Sequence, residues 1–359
     1  FKRMIAGLDD PYRNRRAEAE QAGDNLAQVL GRVSQLVPPT SPVTMDGAWI
    51  DGLIARSVAD YDPRHGGFGK APKFPRQTLL ELLLHWLDPA SHTGHLDEHA
   101  ADLKQRSRVR QMVTHALDAM ALGGIRDQLG GGFHRYSTDA KWLVPHFEIM
   151  LYDNAMLGWI YAEAYRQFGE KRYAAIARGV FDFVLREMTS PAGAFYTAFD
   201  AEVDAQEGLS YLWTFEEARQ LLTGEPGAAE RFSKADFELF ARVYGLDQGP
   251  NFVDPHHSDG GPDKNILFVA DSSAADANEP LLARMRQRLY DARRLRKQPL
   301  LDTKILTSWN ALMIRALAHG GKLLAEPRYT QAAQKAAEFL LTEHRSPDGG
   351  LYRSSRDGA

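Results

Sequence analysis

The sequence predicts an all-α fold, a closed toroid of helical hairpins with short β-hairpins in the loops at one mouth. Three observations carry this. Apolar residues return at i, i+3, i+4 and i+7 in one window after another, while period-2 runs are scarce. A helix–turn–helix unit recurs at a fixed offset. Each clear unit ends in a glycine-bearing loop that closes on an aromatic or aliphatic residue.

Along the 359 residues, residues 9–36 read first as a charged amphipathic helix, with Leu26, Val29, Leu30 and Val33 at helical spacing. The segment Val37-Pro38-Pro39-Thr40-Ser41-Pro42 cannot continue it, because proline removes a donor and fixes φ. Residues 37–44 are therefore a linker, and what precedes them is too short to hold a core of its own. The opening Phe1-Lys2-Arg3-Met4 reads as the middle of something longer. Helices are then expected near 46–60, 76–87, 103–123, 148–168, 171–188, 215–223, 232–244, 279–296, 305–324 and 328–344. Short strands are expected at 194–200 and 209–214, where aromatic and aliphatic residues cluster between turn residues. Residues 245–278, rich in Gly, Asp, Pro and Ser, read as a surface loop around the apolar Ile266-Leu267-Phe268-Val269.

The repeat is explicit. Arg172-Tyr173 through Tyr196 aligns without gaps on Arg328-Tyr329 through Tyr352, with ten of twenty-five positions identical. The same offset places Tyr152-Asp153-Asn154 on Ser308-Trp309-Asn310. Looser copies of the closing loop occur at Asp62–Phe68 and Leu129–Phe133, where glycine stops a helix and the next aromatic turns back into the core. Such hairpins cannot bury their apolar faces alone and must stack. An open superhelix is the alternative to a ring; long irregular repeats with large polar loops after every second helix favour the ring. A ring of six hairpins needs twelve helices, so the toroid is expected to be incomplete at the C-terminal end.

Composition bounds function. A formal charge of -4 offers no basic face for nucleic acid. No window approaches the roughly 20 apolar residues of a membrane span. The absence of cysteine removes disulfides, thiolate nucleophiles and Cys-based metal sites, and fits a reducing, cytoplasmic setting. No Walker loop, dinucleotide fingerprint or nucleophile elbow occurs, and no cofactor is expected. Metal binding is not favoured: His92, His95 and His99 sit in a polar connection, and His256-His257 in a loop.

Candidate chemistry gathers in Gly131–Asn154. His134, His146, Glu148 and Asp153 are candidate acid/base groups, because histidine and carboxylates exchange protons near neutral pH. His146, just ahead of a helix, would lie near backbone amides that favour an anion. Arg135, Trp142, Tyr152 and Asn154 would bind substrate, since aromatic faces beside hydrogen-bonding groups suit sugar rings. The matching repeat adds Asp302 as an acid and Lys304, Trp309 and Asn310 as binding residues. Asp200 in the acidic loop, Trp213 beyond it, and Lys73-Phe74 complete the set. Each has a plainer reading: Glu148 and His146 as a helix-start capping network, His134 and Arg135 as a hairpin pair, Asn154 and Asn310 as structural hydrogen-bond equivalents, and Lys73-Phe74-Pro75 as a packed turn.

Three stretches, Gly66-Gly67-Phe68-Gly69-Lys70-Ala71-Pro72-Lys73-Phe74-Pro75, Gly131–Asn154 and Leu306-Thr307-Ser308-Trp309-Asn310, together resemble the spermatogenesis-associated thioredoxin-domain family. The resemblance implies a thioredoxin-like domain followed by an (α/α)6 barrel similar to those of six-hairpin glycosidases and sugar 2-epimerases. On it, residues 1–36 are the last helix of that domain, 37–44 the linker and 45–359 the truncated barrel, with the thioredoxin-like domain as partner in the full-length chain. The chain departs from the family at Ile149, where lysine is usual, at Thr303, where an acid is usual, and at Ala311, where glycine is usual.

Three functions compete. Epimerisation or isomerisation of a sugar would use His134 and His146 as an acid/base pair, with Arg135 or Lys304 holding the enediolate. Glycoside hydrolysis would set Glu148 or Asp153 across the mouth from Asp200 or Asp302. A non-catalytic module would bind a small molecule, an oligosaccharide or a peptide there.

Overall fold

The computed structural model describes residues 12–34, 47–89, 100–224, 231–253 and 264–356. The linker expected at 37–44, His92, His95 and His99, and His256-His257 lie outside the described residues. The chain divides into two units, residues 1–53 and 54–359. Helix α1 (Arg16–Ser34) belongs to the first, with Glu18 in its first turn and Arg32 in its last, both complementing the helix dipole. Helix α2 (Gly47–Asp60) leads into the second.

The second unit is all-α. Its first hairpin joins α3 (Gln77–Leu87) to α4 (Ala100–Leu122), its second α5 (Leu151–Phe168) to α6 (Lys171–Glu187), and its third α11 (Thr307–Leu323) to α12 (Pro327–Glu343). Helix α5 packs between α3 and α11, so three successive hairpins share one inner row and put their second helices outside it. That alternation is the one a helical toroid uses. The close approach has a local cause: a Cβ on Gly158 of α5 or Gly320 of α11 would fall 2.5 and 2.3 Å from the ring of Phe181, which wedges between them. Tyr329 meets it edge-on at 5.1 Å, and Ile160, Tyr161 and Leu317 belong to the same buried cluster, all 0 % exposed.

Between the second and third hairpins the chain inserts α7 (Phe215–Thr223), α8 (Lys234–Val243), α9 (Ser272–Ala277) and α10 (Glu279–Arg294). These have an apolar cluster of their own, centred on Trp213, Phe240, Leu282 and Leu289. The expected loop at 245–278 contains α9, which starts where Asp271 accepts a hydrogen bond from the Ala274 amide. Ile266 and Leu267 are buried, as their run of apolar residues implied.

Strands are two residues long. In chain order they are β1 (Tyr136–Ser137), β2 (Pro145–His146), β3 (Ile149–Met150), β4 (Ala198–Phe199), β5 (Glu202–Val203), β6 (Gln206–Glu207), β7 (Leu301–Asp302), β8 (Ile305–Leu306) and β9 (Ser354–Ser355). Strands β3, β4 and β7 form one sheet, which gathers the loop before α5, the loop after α6 and the loop before α11. Strands β1 and β2 form a hairpin, and so do β5 and β6. Two expectations are corrected. The helix expected from 148 begins at Leu151, because β2 and β3 claim the preceding residues. No strand forms at 209–214; Trp213 makes a single bridge to Asn265.

Among the described residues the closing loop occurs four times in two hydrogen-bonded forms one residue apart in length: the longer with bridges Tyr61–Phe68 and Arg126–Phe133, the shorter with Thr189–Phe195 and Arg345–Leu351. In the long repeat the match extends to single bonds. Ser190 N donates to Ala194 O at 2.8 Å, and Ser346 N to Gly350 O at 2.9 Å. Gly193 and Gly349 have φ of 95° and 88°, the left-handed region that favours glycine. Phe68, Phe133 and Phe195 turn back into the core as expected, whereas Leu351 is 56 % exposed.

Candidate functional site

The sequence between the first and second hairpins builds the site. Pairing of Tyr136 with His146 across β1–β2 stacks their rings at 5.0 Å, and Phe74 stacks on the far face of Tyr136 at 4.6 Å. His146 sits between two carboxylates, its Nδ1 2.8 Å from Glu207 Oε1 and its Nε2 3.7 Å from Glu148 Oε2. Arg135 Nη1 donates to Glu148 Oε2 at 2.8 Å. The Glu148 and then the Glu207 carboxylate, which face the two ring nitrogens as acceptors, push His146 up to about 9, so the ring is a cation at neutral pH. His146 in turn holds Glu148 below its ordinary value.

Next to this cluster, the first turn of α5 supplies Tyr152 and Asp153. Tyr152 lies beside Arg135 and meets Trp309 of α11 edge-on at 4.8 Å. Asp153 is 2 % exposed; its Oδ1 accepts from Gln77 Nε2 of α3 at 2.6 Å, and its buried Oδ2 has no hydrogen-bond partner. Burial pushes this carboxyl up to about 7, against the opposing pull of Gln77, Arg135 and Tyr152. An acid near neutrality, a fixed cation and a guanidinium therefore converge where inner helices α3, α5 and α11 begin. The group can take up a proton, give one up and hold an oxyanion.

Other expected site residues lie in the interior. Lys73 is 0 % exposed and donates to Asp62 Oδ2, Gly66 O and Ala140 O at 2.6, 3.0 and 2.9 Å. Trp142, also 0 % exposed, donates to Gly66 O at 3.1 Å. Asn154 clamps Phe133 by accepting from its N–H and donating to its carbonyl, and Asn310 clamps Phe195 in the same way. Trp213 is enclosed in the inserted layer with the Arg296 guanidinium 3.7 Å from its ring centroid. His134 is 2 % exposed, its Nδ1 2.9 Å from Phe147 O, with Phe147 and Tyr211 edge-on around it. Burial lowers its pKa to about 4, and the cavity beside it, about 20 Å³, has room for roughly one water and none for a sugar ring.

At the margin, Asp302 and Lys304 pair at 3.0 Å, and Asp200 is exposed. The capping expectation for Glu148 does not hold, because α5 starts at Leu151 with no side-chain cap. Ile149, which stands where the resembled family has lysine, is a buried strand residue. Sequence reasoning passed over two members of the cluster. Glu207 arrives from 61 residues away through the β5–β6 hairpin, and Gln77 opens α3; the one available signal for Glu207 was that the acidic loop fell at a mouth position. Among the described residues no group of three or more His, Asp or Glu side chains is placed to hold a metal ion, and no helix is long and apolar enough to cross a membrane.

No protein-family profile matches the chain. The chain is similar to spermatogenesis-associated protein 20 of Rattus norvegicus, 38 % identical over 322 residues that cover 84 % of the chain and 38 % of that protein. The Homo sapiens protein of the same name is 39 % identical over 300 residues, 78 % of the chain and 36 % of its own length. The chain thus spans well under half the length of these relatives. Among solved structures, a sugar epimerase from a ruminal bacterium aligns with 86 % of the chain and 90 % of its own, at 14 % identity and a TM-score of 0.34. An α-mannanase of glycoside hydrolase family 76 from Bacteroides thetaiotaomicron aligns with 85 % of the chain and 73 % of its own, at 11 % identity and a TM-score of 0.34.

Proposed function

We propose that the mouth at the start of α3, α5 and α11 binds a carbohydrate and transfers a proton on it, as a sugar epimerase or isomerase does. The observation that carries this reading is the Asp153 carboxyl, buried, half-satisfied and titrating near neutrality, within reach of the Arg135 and Glu148 charges, with the cationic His146 on the other side of Glu148. Asp153 removes the proton alpha to the sugar carbonyl, Arg135 holds the enediolate oxygen, and His146 returns a proton to carbon. Tyr152 and Trp309 offer ring faces to the sugar, with Phe74 and Tyr136 further out. Asp153 takes the place of His134 in the acid/base pair: both are 2 % exposed, but burial holds His134 neutral, near 4, beside a cavity too small for substrate, while Asp153 stands near 7.

A second reading shares one observation. A carboxyl protonated near pH 7 is also what a glycosidase needs as general acid, with Asp200 or Asp302 as the second carboxylate. The domain assignment belongs to the same proposal: residues 1–36 as the closing helix of a thioredoxin-like domain, 37–44 as linker and 45–359 as the barrel.

The test is incubation of the full-length protein with a panel of aldoses and ketoses in D₂O, following carbon-bound deuterium by proton NMR. Exchange is expected with the native protein and lost in Asp153→Asn and His146→Gln. Exchange that survives both changes, or no exchange with any sugar, overturns the proton-transfer reading. Release of reducing ends from a glycan, abolished by Asp153→Asn, would establish the hydrolytic one.

A further inference from the structure

A second site lies away from the mouth. A cavity of about 610 Å³ opens between the outer helices α4 and α6 and the inserted layer of α8, α9 and α10. Its walls include Ile176 and Val269, with Arg126 and Arg286 among its charged lining residues.

Most cations along this wall are matched. Arg286 is held by Glu279 at 2.5 and 3.0 Å, Arg172 by Asp118 at 2.9 Å, and Arg186 by Glu187 at 2.8 Å. Arg126 has no carboxylate within salt-bridge distance among the described residues. Its Nε is buried without a partner, and its one side-chain bond is a long 3.4 Å contact to the neutral Gln128. Asp276, also on the lining, is exposed. Desolvation and the Arg286 charge both act to lower the pKa of Arg126, so the fold holds this cation at a cost.

The backbone is arranged to admit it. Gly179 lies inside α6, where glycine costs about 1 kcal/mol relative to alanine. A Cβ there would come within 3.1 Å of Arg126 Nη2, its nearest neighbour, so the missing side chain is room given to the guanidinium.

We propose that this cavity is a binding site for a small oxyanion-bearing molecule, a phosphate ester or a carboxylic acid, whose anion is held by Arg126 and whose body lies against Ile176 and Val269. A guanidinium presents a planar fork of donors matched to such anions. The site is independent of the chemistry proposed for the mouth.

The experiment is a thermal-unfolding titration of the full-length protein with inorganic phosphate and, separately, with acetate, each against sodium chloride at matched ionic strength. A saturable rise of at least about 2 °C with one of the two oxyanions is expected, and the anion that acts distinguishes the phosphate from the carboxylate source. Arg126→Met should unfold at a higher temperature than the native protein without anion and lose the response. Gly179→Ala, whose methyl crowds only the flexible end of Arg126 and improves the helix, should stay folded and weaken the response at least several-fold in midpoint concentration. No oxyanion response in the native protein, or a response unchanged in both variants, overturns the proposal.

Discussion

Asp153 and His146 titrate in opposite senses for the proposed chemistry, and that fixes a pH profile. A base must be deprotonated and an acid protonated, so kcat/KM should rise through about 7, where Asp153 ionises, and fall through about 9, where His146 loses its proton. His146→Gln should remove the alkaline limb from whatever residual rate remains, and a profile flat from pH 6 to 10 would contradict the assignment. Stability carries its own signature. Burial raises the Asp153 pKa, so the folded state holds that proton when the unfolded chain has released it. Stability from this group is fully present below the unfolded value of about 3.9 and declines as pH rises through about 7. Asp153→Asn cannot ionise and should be more stable than the native protein at pH 8, by on the order of 3 kcal/mol, with little difference at pH 4. Urea melts at the two pH values would show it. Much of this cluster was legible in the sequence, since Arg135, His146, Glu148, Tyr152 and Asp153 fall within one short stretch. Glu207 and Gln77 were not, because their membership depends on loop closure and helix packing over 61 and 76 residues.

At the scale of elements, Asn154 and Asn310 explain why each closing loop stays against the helix that follows it. Each asparagine is fully buried, sits in the first turn of an inner helix and satisfies both backbone groups of the preceding aromatic. Each amide also donates to the carbonyl four residues earlier, at Met150 and Leu306. Asn154→Ala and Asn310→Ala leave a buried N–H and C=O unmatched and should each destabilise by about 2–4 kcal/mol. Asn154→Asp should cost at least as much at pH 7, because a carboxylate cannot donate to Phe133 or Met150. Equilibrium denaturation would check both, and a loss below about 0.5 kcal/mol would remove the clamp. The hairpin helices were readable because long amphipathic periods repeat the same signal many times; the strands were not, since two residues have no period. Ile149, where the resembled family has lysine, pairs with Phe199 in the β3–β4–β7 sheet and is 0 % exposed.

The second unit as a whole holds two large apolar cores and a smaller third one, of Phe147, Ala201, Leu212, Phe252 and Ile266. The hairpins share one apolar cluster and the inserted helices another, and a buried ion pair links the two layers. Arg293 of α10 grips both oxygens of Asp127 at 2.7 and 2.6 Å, in the loop that follows α4. Against burial, which would raise it, Arg293 holds Asp127 below the ordinary carboxylate range. Gly130 permits the approach, because a Cβ there would lie 2.2 Å from Asp127 Oδ2. Removing one partner of such a pair strands a buried charge and costs about 3–5 kcal/mol. The loss should be local, because layers with separate cores open as separate cooperative units. In Arg293→Met, amides of α7, α8 and α10 should lose hydrogen-exchange protection while those of α5 and α11 keep most of theirs. The double variant Asp127→Leu with Arg293→Met, which replaces the pair by apolar groups, should recover much of the protection. Hydrogen-exchange mass spectrometry resolves these segments. Uniform loss across both layers would mean that the inserted helices and the hairpins fold as one unit and that the ion pair stabilises all of it.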